Sequence, residues 1–264
     1  MNIGTTGSNG IGVTPLRGMP MFGVGMSVAA EVVRAASAQD EPLGDGDVIV
    51  VAQKIVSKAE ARTVRLADVV SGEEARRIAA ETAREPDIVQ LILDESAVIL
   101  RATPAAIIAG HRTGHVLANA GIDASNVEGG GEGIVLLWPA DPDASARDIR
   151  KGLRELTGAA PAVVIADSMG RAWRIGTVGA AIGCAGLCVL DDRRGADQDL
   201  FGRTLQATVI AVADAVAAMA VLAMGEGAEG TPAAIVRGAD RWVSPDDGPG
   251  AARALRPLAE DMFR

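Results

Sequence analysis

Short apolar runs alternate with polar stretches along this chain, and the sharpest of them predict strands. Residues 47–52, DVIVVA, and 162–166, AVVIA, are rich in β-branched side chains and are bounded by turn or polar residues, as buried strands are. Weaker runs of the same kind predict further strands at residues 97–100, 105–109, 116–119, 134–138 and 233–236. The core of the protein is therefore expected to contain a sheet.

Three stretches predict helices. Residues 71–84 begin with Ser71 and carry Glu74 three positions later, which is the spacing of a capping box, and Pro86 is expected to stop this helix. An amphipathic stretch covers residues 145–156 and is followed by Gly158, and a long apolar stretch covers residues 204–224. Strands and helices mix without a clean βαβ repeat. This predicts an α/β fold of the mixed α+β kind, not a Rossmann fold.

The apolar stretch at residues 207–225 is nearly long enough to span a membrane. It consists mostly of Ala and Val, carries Asp214 in its middle and has no flanking aromatic belt, so we expect a buried helix of a soluble protein. The N-terminal residues MNIGTTGSNGIG lack the basic start and apolar run of a signal peptide. Together with the low cysteine content, these features predict a cytoplasmic protein.

Charge and cysteine content narrow the function. The chain has 264 residues and a formal net charge of −9, which disfavours binding to nucleic acids. A nucleotide remains compatible with this charge, because it would arrive with metal ions and needs only a local cluster of Lys and Arg. The two cysteines, Cys184 and Cys188, have no second pair with which to form a metal site, and we expect two small buried side chains.

Several catalytic motifs can be set aside. The dipeptide Gly-Lys does not occur, which excludes a P-loop. The segment 166–170, ADSMG, resembles a degraded nucleophile elbow, but a hydrolase of that type needs a His after Ser168. Both histidines, His111 and His115, precede it and flank the turn at 112–114. We expect partly exposed loop or strand histidines here, in preference to a helical metal-binding pair.

Polar residues gather where the predicted strands and the long helix end, and in open α/β sheets such positions line the ligand crevice. They are Lys54, Lys58, Asp123, Asn126, Asp167, Ser168, Arg171, Arg174 and Glu226. Carboxylate and hydroxyl oxygens favour Mg²⁺ or Mn²⁺, and lysines hold phosphates as point charges. This set therefore predicts a metal–phosphate site. The alternative, acidic side chains that only bond their own backbone in turns, stays open at this point.

Five segments occur in an order that resembles the coenzyme F-420:L-glutamate ligase family. They are VVAQKIVSKAEAR, NAGIDASNV, ADSMGRAWRIGTVGAAIGCAGL, GRTLQATVIAVADAVAAMAVLAMG and AIVRG, and the likeness runs from about residue 18 to 238. The tail LRPLAEDMFR is similar to the end of the ligase half of the bifunctional actinobacterial enzymes. The resemblance implies a ligase domain at 18–243, followed by a tail at 244–264 that packs on this domain. The residues at 1–17 predict a flexible N-terminus.

The resemblance also implies an activity. Members of this family have a mixed α/β fold of their own and form homodimers. For this chain the resemblance therefore implies addition of γ-linked L-glutamate to a deazaflavin coenzyme precursor, with GTP as energy source. We expect the reaction to pass through an acyl phosphate. The expected ions are two divalent cations, Mg²⁺ or Mn²⁺, and a monovalent cation such as K⁺.

By the same resemblance, individual residues receive roles. The metal ligands would be Asp123, Asp167, Ser168 and Glu226, and the catalytic groups Lys58, Asp123, Asp167 and Arg171. GTP would be contacted by Met19, Pro20, Met21, Phe22, Gln53, Lys54, Lys58, Asn126, Met224, Gly225, Glu226 and Gly227.

The chain departs from the family pattern at several positions. Residues 25–28, GMSV, replace an acidic G-D-D-L, and Gln53 stands where Ser or Thr is frequent. Ser168 stands where Thr is frequent, Thr177 replaces a usual Gln, and Glu226 occupies a variable position. Two other functions therefore stay open. One is an amide ligase of the same fold with another acceptor or amino acid, and the other is a non-catalytic nucleotide-binding homologue.

Overall fold

A computed structural model describes residues 10–257 and residue 260. The α-helices within this part of the chain are α1 Val28–Ala38, α2 Gln53–Ala59, α3 Glu73–Thr82, α4 Pro86–Asp94, α5 Pro142–Thr157 and α6 Val212–Met224. The strands are β1 Gly12–Pro15, β2 Val48–Ala52, β3 Thr63–Arg65, β4 Ser96–Ala102, β5 Ile107–His111, β6 Val116–Ala118, β7 Ile134–Leu136, β8 Ala162–Arg171, β9 Arg174–Ala185, β10 Leu190–Asp192, β11 Val209–Ala211 and β12 Ala233–Arg237.

The largest sheet has five strands in the order β1-β12-β2-β8-β9. Only the pair β2 and β8 is parallel, and the other neighbours are antiparallel. Three smaller sheets pair β4-β5-β6, β3-β7 and β10-β11. This architecture confirms the predicted α+β fold. The predicted strands at 47–52, 162–166 and 233–236 all lie in the large sheet.

Helices cover both faces of the large sheet, and the alternation of side chains along β2 shows why this strand is apolar throughout. Ile49 and Val51 pack in a cluster with residues of α1 and α5. Val48 and Val50 point to the other face and pack with residues of α6. Because successive strand side chains face opposite sides, a strand that is covered on both faces must be apolar at every position.

Helix α6 begins at Val212, so the predicted start at residue 204 is wrong; residues 209–211 form β11 instead. The helix packs closely on β9, where a Cβ on Gly179 would lie 2.5 Å from the carbonyl oxygen of Ala217. Asp214, the charged residue within this apolar helix, has a hydrogen-bond partner: its carboxylate accepts a 3.0 Å hydrogen bond from the Ala181 amide. Within the described residues, no helix reaches the length and apolarity that crossing a membrane requires.

A smaller unit consists of the sheet β4-β5-β6 with α3 and α4, which share one apolar cluster. Helix α3 begins at Glu73, and its N-cap is Gly72, which makes no side-chain cap. The predicted Ser71 capping box is therefore wrong. Pro86 opens α4 rather than only ending α3, in line with the preference for Pro in the first turn, where its missing N–H is not needed.

Residues near both ends of the described part of the chain contribute to the packing. Strand β1 lies within the expected flexible stretch 1–17 and pairs with β12, which corrects that expectation for residues 12–15; residues 1–9 lie outside the described part. Near the C-terminus, the buried Arg150 donates hydrogen bonds to the Ser244 carbonyl (2.6 Å) and the Asp247 carboxylate (2.7 Å). Helix α5 thus holds the first residues of the tail, and residues 258, 259 and 261–264 lie outside the described part.

Candidate active site

The cleft opens at the end of β2, beside its parallel neighbour β8, which continues to Arg171. The register pairs Ala52 of β2 with Ala166 of β8; Gln53 follows the first as the start of α2, and Asp167 follows the second within β8. The cleft has a volume of about 1010 Å³. Its walls come from the segments 19–22, 52–58, 117–128, 166–170 and 224–232, together with Val221.

Asp123 forms an ion pair with Lys54 at one side of the cleft. The Lys54 Nζ lies 2.7 Å from the Asp123 carboxylate, which also accepts hydrogen bonds from the amide (2.7 Å) and the hydroxyl (2.8 Å) of Ser125. Burial alone would raise the pKa of Asp123, but the hydrogen bonds from Lys54 and Ser125 outweigh it and lower this pKa. Asp123 is thus held in its anionic form.

Asp167 lies within β8, where it pairs with Ala180 of β9, so the expectation that it follows the strand is corrected. Its carboxylate accepts a 2.8 Å hydrogen bond from the indole N–H of Trp138. The pKa of Asp167 is raised to about 6, chiefly by burial and to a smaller extent by the nearby Asp123, against the opposing effects of Trp138, the Ser168 amide and Lys54. Burial and a second carboxylate therefore both disfavour the ionised form, and a bound cation would relieve them.

Ser168 connects β8 to the loop that follows α6. Its hydroxyl lies 2.7 Å from each oxygen of the Glu226 carboxylate. The loop turns at Gly225, where φ is +83° and an added Cβ would lie 2.4 Å from the carboxyl carbon of Glu229. This position favours glycine, because a side chain would strain a backbone with this positive φ.

Two loops meet across the cleft. The Lys58 ammonium donates to the Asn126 carbonyl at 2.6 Å, and the Asn126 side-chain amide donates to the Gly227 carbonyl at 3.2 Å. Asn126 has φ of +54°, a conformation that Asn tolerates better than most residues. Burial lowers the pKa of Lys58, and the neighbouring Lys54 lowers it further.

Gln53 presents an unsatisfied hydrogen-bond donor. Its side chain is 1 % exposed, and its Oε1 accepts a 2.8 Å hydrogen bond from the Ser57 hydroxyl. Its Nε2 has no partner among the described residues. Because a buried donor without a partner is costly, a ligand oxygen in the cleft would stabilise this arrangement.

The structure brings nearly the whole predicted site together. The residues that line the cleft are Met19, Pro20, Met21, Phe22, Gln53, Lys54, Lys58, Asp123, Asn126, Asp167, Ser168, Met224, Gly225, Glu226 and Gly227. Arg171 is not among them. It is exposed at the end of β8, where it pairs with Arg174 beside the hairpin turn, because β8 extends four residues beyond Asp167.

The histidines and cysteines differ from their expectations. His111 and His115 are buried, 1 % and 5 % exposed, and the hydroxyl of Thr113 hydrogen bonds both Nδ1 atoms at 2.8 and 2.9 Å. The prediction of partly exposed histidines is wrong, since the turn folds them inward around a shared hydroxyl. Cys184 is buried, as predicted, but Cys188 is exposed.

The structure does not favour a nucleophile elbow. Ser168 bonds the carboxylate of Glu226 instead of a histidine.

Sequence reasoning missed Trp138 and Ser125 as parts of the site. Trp138 was expected only as an apolar residue of the strand predicted at 134–138. A buried indole needs a hydrogen-bond acceptor, which was the one available signal. The sequence offered no way to identify Asp167, 29 positions later, as that acceptor.

The carboxylates fit a metal ion that is shared with a ligand. Within residues 10–257 and 260, no three His, Cys, Asp or Glu side chains converge closely enough to enclose a metal ion. Mg²⁺ is commonly held by one or two carboxylates together with phosphate oxygens and water. Asp167 and Asp123, which is near enough to raise the pKa of Asp167, supply such a partial set.

Comparison with known proteins identifies the family. The family model described as "F420-0:Gamma-glutamyl ligase" matches residues 18–238. The chain belongs to this ligase family. The matched range contains every residue that lines the cleft, from Met19 to Pro232.

Individual relatives extend the likeness over most of the chain. A coenzyme F420:L-glutamate ligase of Methanothermobacter thermautotrophicus is 44 % identical over 97 % of this chain and 99 % of the relative. Relatives of the same name from Methanopyrus kandleri and Methanocaldococcus jannaschii are 44 % and 43 % identical over 86 % and 84 % of this chain. These alignments cover 89 % and 86 % of the two relatives.

Proposed function

We propose that the protein adds L-glutamate, through a γ linkage, to the deazaflavin precursor of coenzyme F-420, with GTP as energy source. One observation carries the proposal: in a chain of this family, Lys54, Lys58, Asp123 and Asp167 converge in one cleft of about 1010 Å³. The lysines match phosphates, and the carboxylates match a divalent cation.

The chemistry explains why a nucleotide is needed. A free carboxylate is a poor acylating agent, because its leaving group would be oxide. Transfer of the γ-phosphoryl group of GTP to the terminal carboxylate of the acceptor gives an acyl phosphate and GDP. The amine of L-glutamate then attacks the acyl carbon, an amide bond forms, and phosphate leaves.

Each group of residues in the cleft would have a separate role in this reaction. Lys54 and Lys58 would bind phosphate oxygens, and Gln53 Nε2 would donate to a ligand oxygen. Asp123 and Asp167, with Ser168 and Glu226, would hold Mg²⁺ or Mn²⁺. When bound, two such ions and a monovalent cation such as K⁺ would neutralise charge on the phosphates. Arg171 has no part in this scheme, since it lies outside the cleft.

The contact between the two loops would help to exclude water. Asn126 and Gly227 join across the cleft, and Lys58 holds the same loop through the Asn126 carbonyl. An acyl phosphate is hydrolysed if water reaches it, so a covered cleft protects the intermediate.

A mass measurement tests the function. The protein is incubated with GTP, L-glutamate, Mn²⁺ or Mg²⁺ and the deazaflavin precursor that lacks glutamate, and GDP release is followed together with the mass of the deazaflavin. We expect a gain of one or more glutamyl units that depends on GTP and metal. Turnover only with another acceptor or amino acid would identify a different ligase of the same fold. Binding of GTP without turnover would identify a non-catalytic homologue.

We further propose a homodimer. Large apolar side chains are exposed at the tip of the β8–β9 hairpin, Trp173 and Ile175, and in the loop before β11, Leu200 and Phe201. Such surfaces are candidates for contact with a second copy of the chain. Light scattering coupled to gel filtration should give twice the chain mass for the unmodified protein and one chain mass for Trp173→Glu/Ile175→Glu. A monomeric unmodified protein would refute the homodimer.

A further inference from the structure

We propose that Trp138 is a positioning residue that sets the spacing of Asp123 and Asp167 for a divalent cation. This inference rests on the proposed function, in which those two carboxylates hold the metal. Trp138 does not line the cleft and is 0 % exposed, so it would act only through its neighbours.

The indole reaches Asp167 directly. Its N–H donates to the Asp167 Oδ2 at 2.8 Å, across 29 residues of sequence. A carboxylate turns easily about its last torsion, and a fixed donor on one oxygen removes that freedom. In metal sites, partners of this kind orient the ligand and contribute to affinity.

The same segment fixes Asp123. The backbones of Asp123 and Leu136 exchange two hydrogen bonds, at 3.1 and 2.8 Å, two residues before Trp138. The ring of Trp138 also packs on Gly121, where φ is +74° and an added Cβ would lie 2.4 Å from the indole nitrogen. One short stretch, residues 136–138, therefore contacts the loop of Asp123 and the side chain of Asp167.

Trp138 is itself held in place by residues outside the cleft. Its carbonyl accepts a 2.8 Å hydrogen bond from the guanidinium of Arg62, which also donates to both oxygens of the Glu95 carboxylate at 2.9 Å. The rings of His111 and His115 lie 5.0 and 5.4 Å from the indole. Because its backbone and its ring are both held by neighbours, the indole N–H has a fixed position and does not move with the Asp167 carboxylate.

Binding of Mn²⁺ alone, measured by electron paramagnetic resonance on the nucleotide-free protein at pH 8, tests the proposal. Trp138→Phe removes the donor, and replacement of Trp138 by 3-benzothienylalanine removes the N–H while keeping the ring shape. We expect both to raise the Kd for Mn²⁺ by about 10- to 100-fold, the usual effect of losing such a partner. In an Asp167→Asn background, Trp138→Phe should cause no further change.

Trp242→Phe is the matched control. The indole of Trp242 donates to the Asp191 carboxylate at 2.9 Å, outside the cleft, so its loss should leave the Kd for Mn²⁺ unchanged. Circular dichroism reports folding, and the benzothienyl protein decides the outcome if Trp138→Phe does not fold. An unchanged Kd in the folded benzothienyl protein overturns the role of Trp138. An unchanged Kd in Asp167→Asn overturns instead the metal site of the proposed function.

Discussion

The Nζ of Lys54 lies 2.7 Å from the Oδ2 of Asp123, so a phosphate-binding candidate and a metal-binding candidate neutralise each other in the cleft. A divalent cation at Asp123 would compete with this ammonium, whereas a nucleotide would bring phosphates for Lys54 to bind. If both bind as proposed, the ion pair would couple the two binding events, because the nucleotide would offer Lys54 an alternative partner.

We predict opposite effects of Lys54→Met on metal and nucleotide. Without nucleotide, loss of the competing ammonium should tighten Mn²⁺ binding, since the Asp123 carboxylate becomes free. Binding of GTP should weaken by about tenfold, the effect of one lost charged hydrogen bond. Calorimetric titrations measure both. Lys151→Met, on the exposed side of α5, should change neither, and a parallel loss of both affinities in Lys54→Met would contradict the competition.

Asp167→Asn should stabilise the metal-free protein at neutral pH. The folded pKa of about 6 exceeds the unfolded value of about 3.9, so the folded state binds more protons between these values and its stability falls as pH rises through them. Urea unfolding at pH 7.5 with a chelator should show a gain of about 1–3 kcal/mol, which disappears near pH 4. Equal stability of both proteins at pH 7.5 would show that the buried charge carries no penalty.

Asp123→Asn should lower the stability of the metal-free protein at neutral pH, the opposite of Asp167→Asn. The pKa of Asp123 is lowered in the folded state, so its stabilising effect is present above the unfolded pKa and is lost as pH falls through the folded value. We expect a loss of less than about 1 kcal/mol at pH 7.5, because the side chain is 40 % exposed and the ion pair is screened. Urea unfolding of both variants in one experiment distinguishes the signs, and a gain in Asp123→Asn would refute the prediction.

Gln53→Glu should weaken GTP binding more than Gln53→Met does. Gln53→Met removes a buried donor that has no partner within the described part of the chain, whereas Gln53→Glu would place an acceptor and a negative charge against ligand oxygens. The Kd of each variant for GTP shows which substitution weakens binding more. Gln206→Glu adds the same charge on an exposed loop outside the cleft and should leave the Kd unchanged. If Gln53→Glu binds GTP as well as the unmodified protein, Gln53 does not face the nucleotide.

Two acidic residues of one loop provide a matched pair. Glu226 accepts from the Ser168 hydroxyl, whereas Glu229 accepts from the Gly227 amide within its own loop. Glu226→Gln should raise the Kd for Mn²⁺ in the presence of nucleotide by about tenfold, an effect typical of a perturbed metal site. Glu229→Gln keeps its acceptor and should change that Kd little. Equal effects of the two variants would assign Glu226 to loop structure alone.

The sequence by itself determined the elements whose signals are local. The runs at 47–52 and 162–166 could be interpreted as buried strands, because a strand covered on both faces must be apolar throughout. Gly158 marked the end of α5, where it is the left-handed cap. Helix α2, which is only seven residues long and begins at Gln53, is too short to show a periodic pattern. It nevertheless places Lys54 and Lys58 on the cleft. The order of five segments was sufficient to indicate the family.

Only the tertiary structure decided how distant residues meet. The hydrogen bond from Trp138 to Asp167, the inward fold of His111 and His115, and the exclusion of Arg171 from the cleft each depend on neighbours far apart in sequence. Hydrophobic periodicity and helix caps depend only on residues that are close in sequence, within one helical turn or one strand. Contacts between elements follow from the register of β2 and β8 and from close packing, which no local pattern encodes.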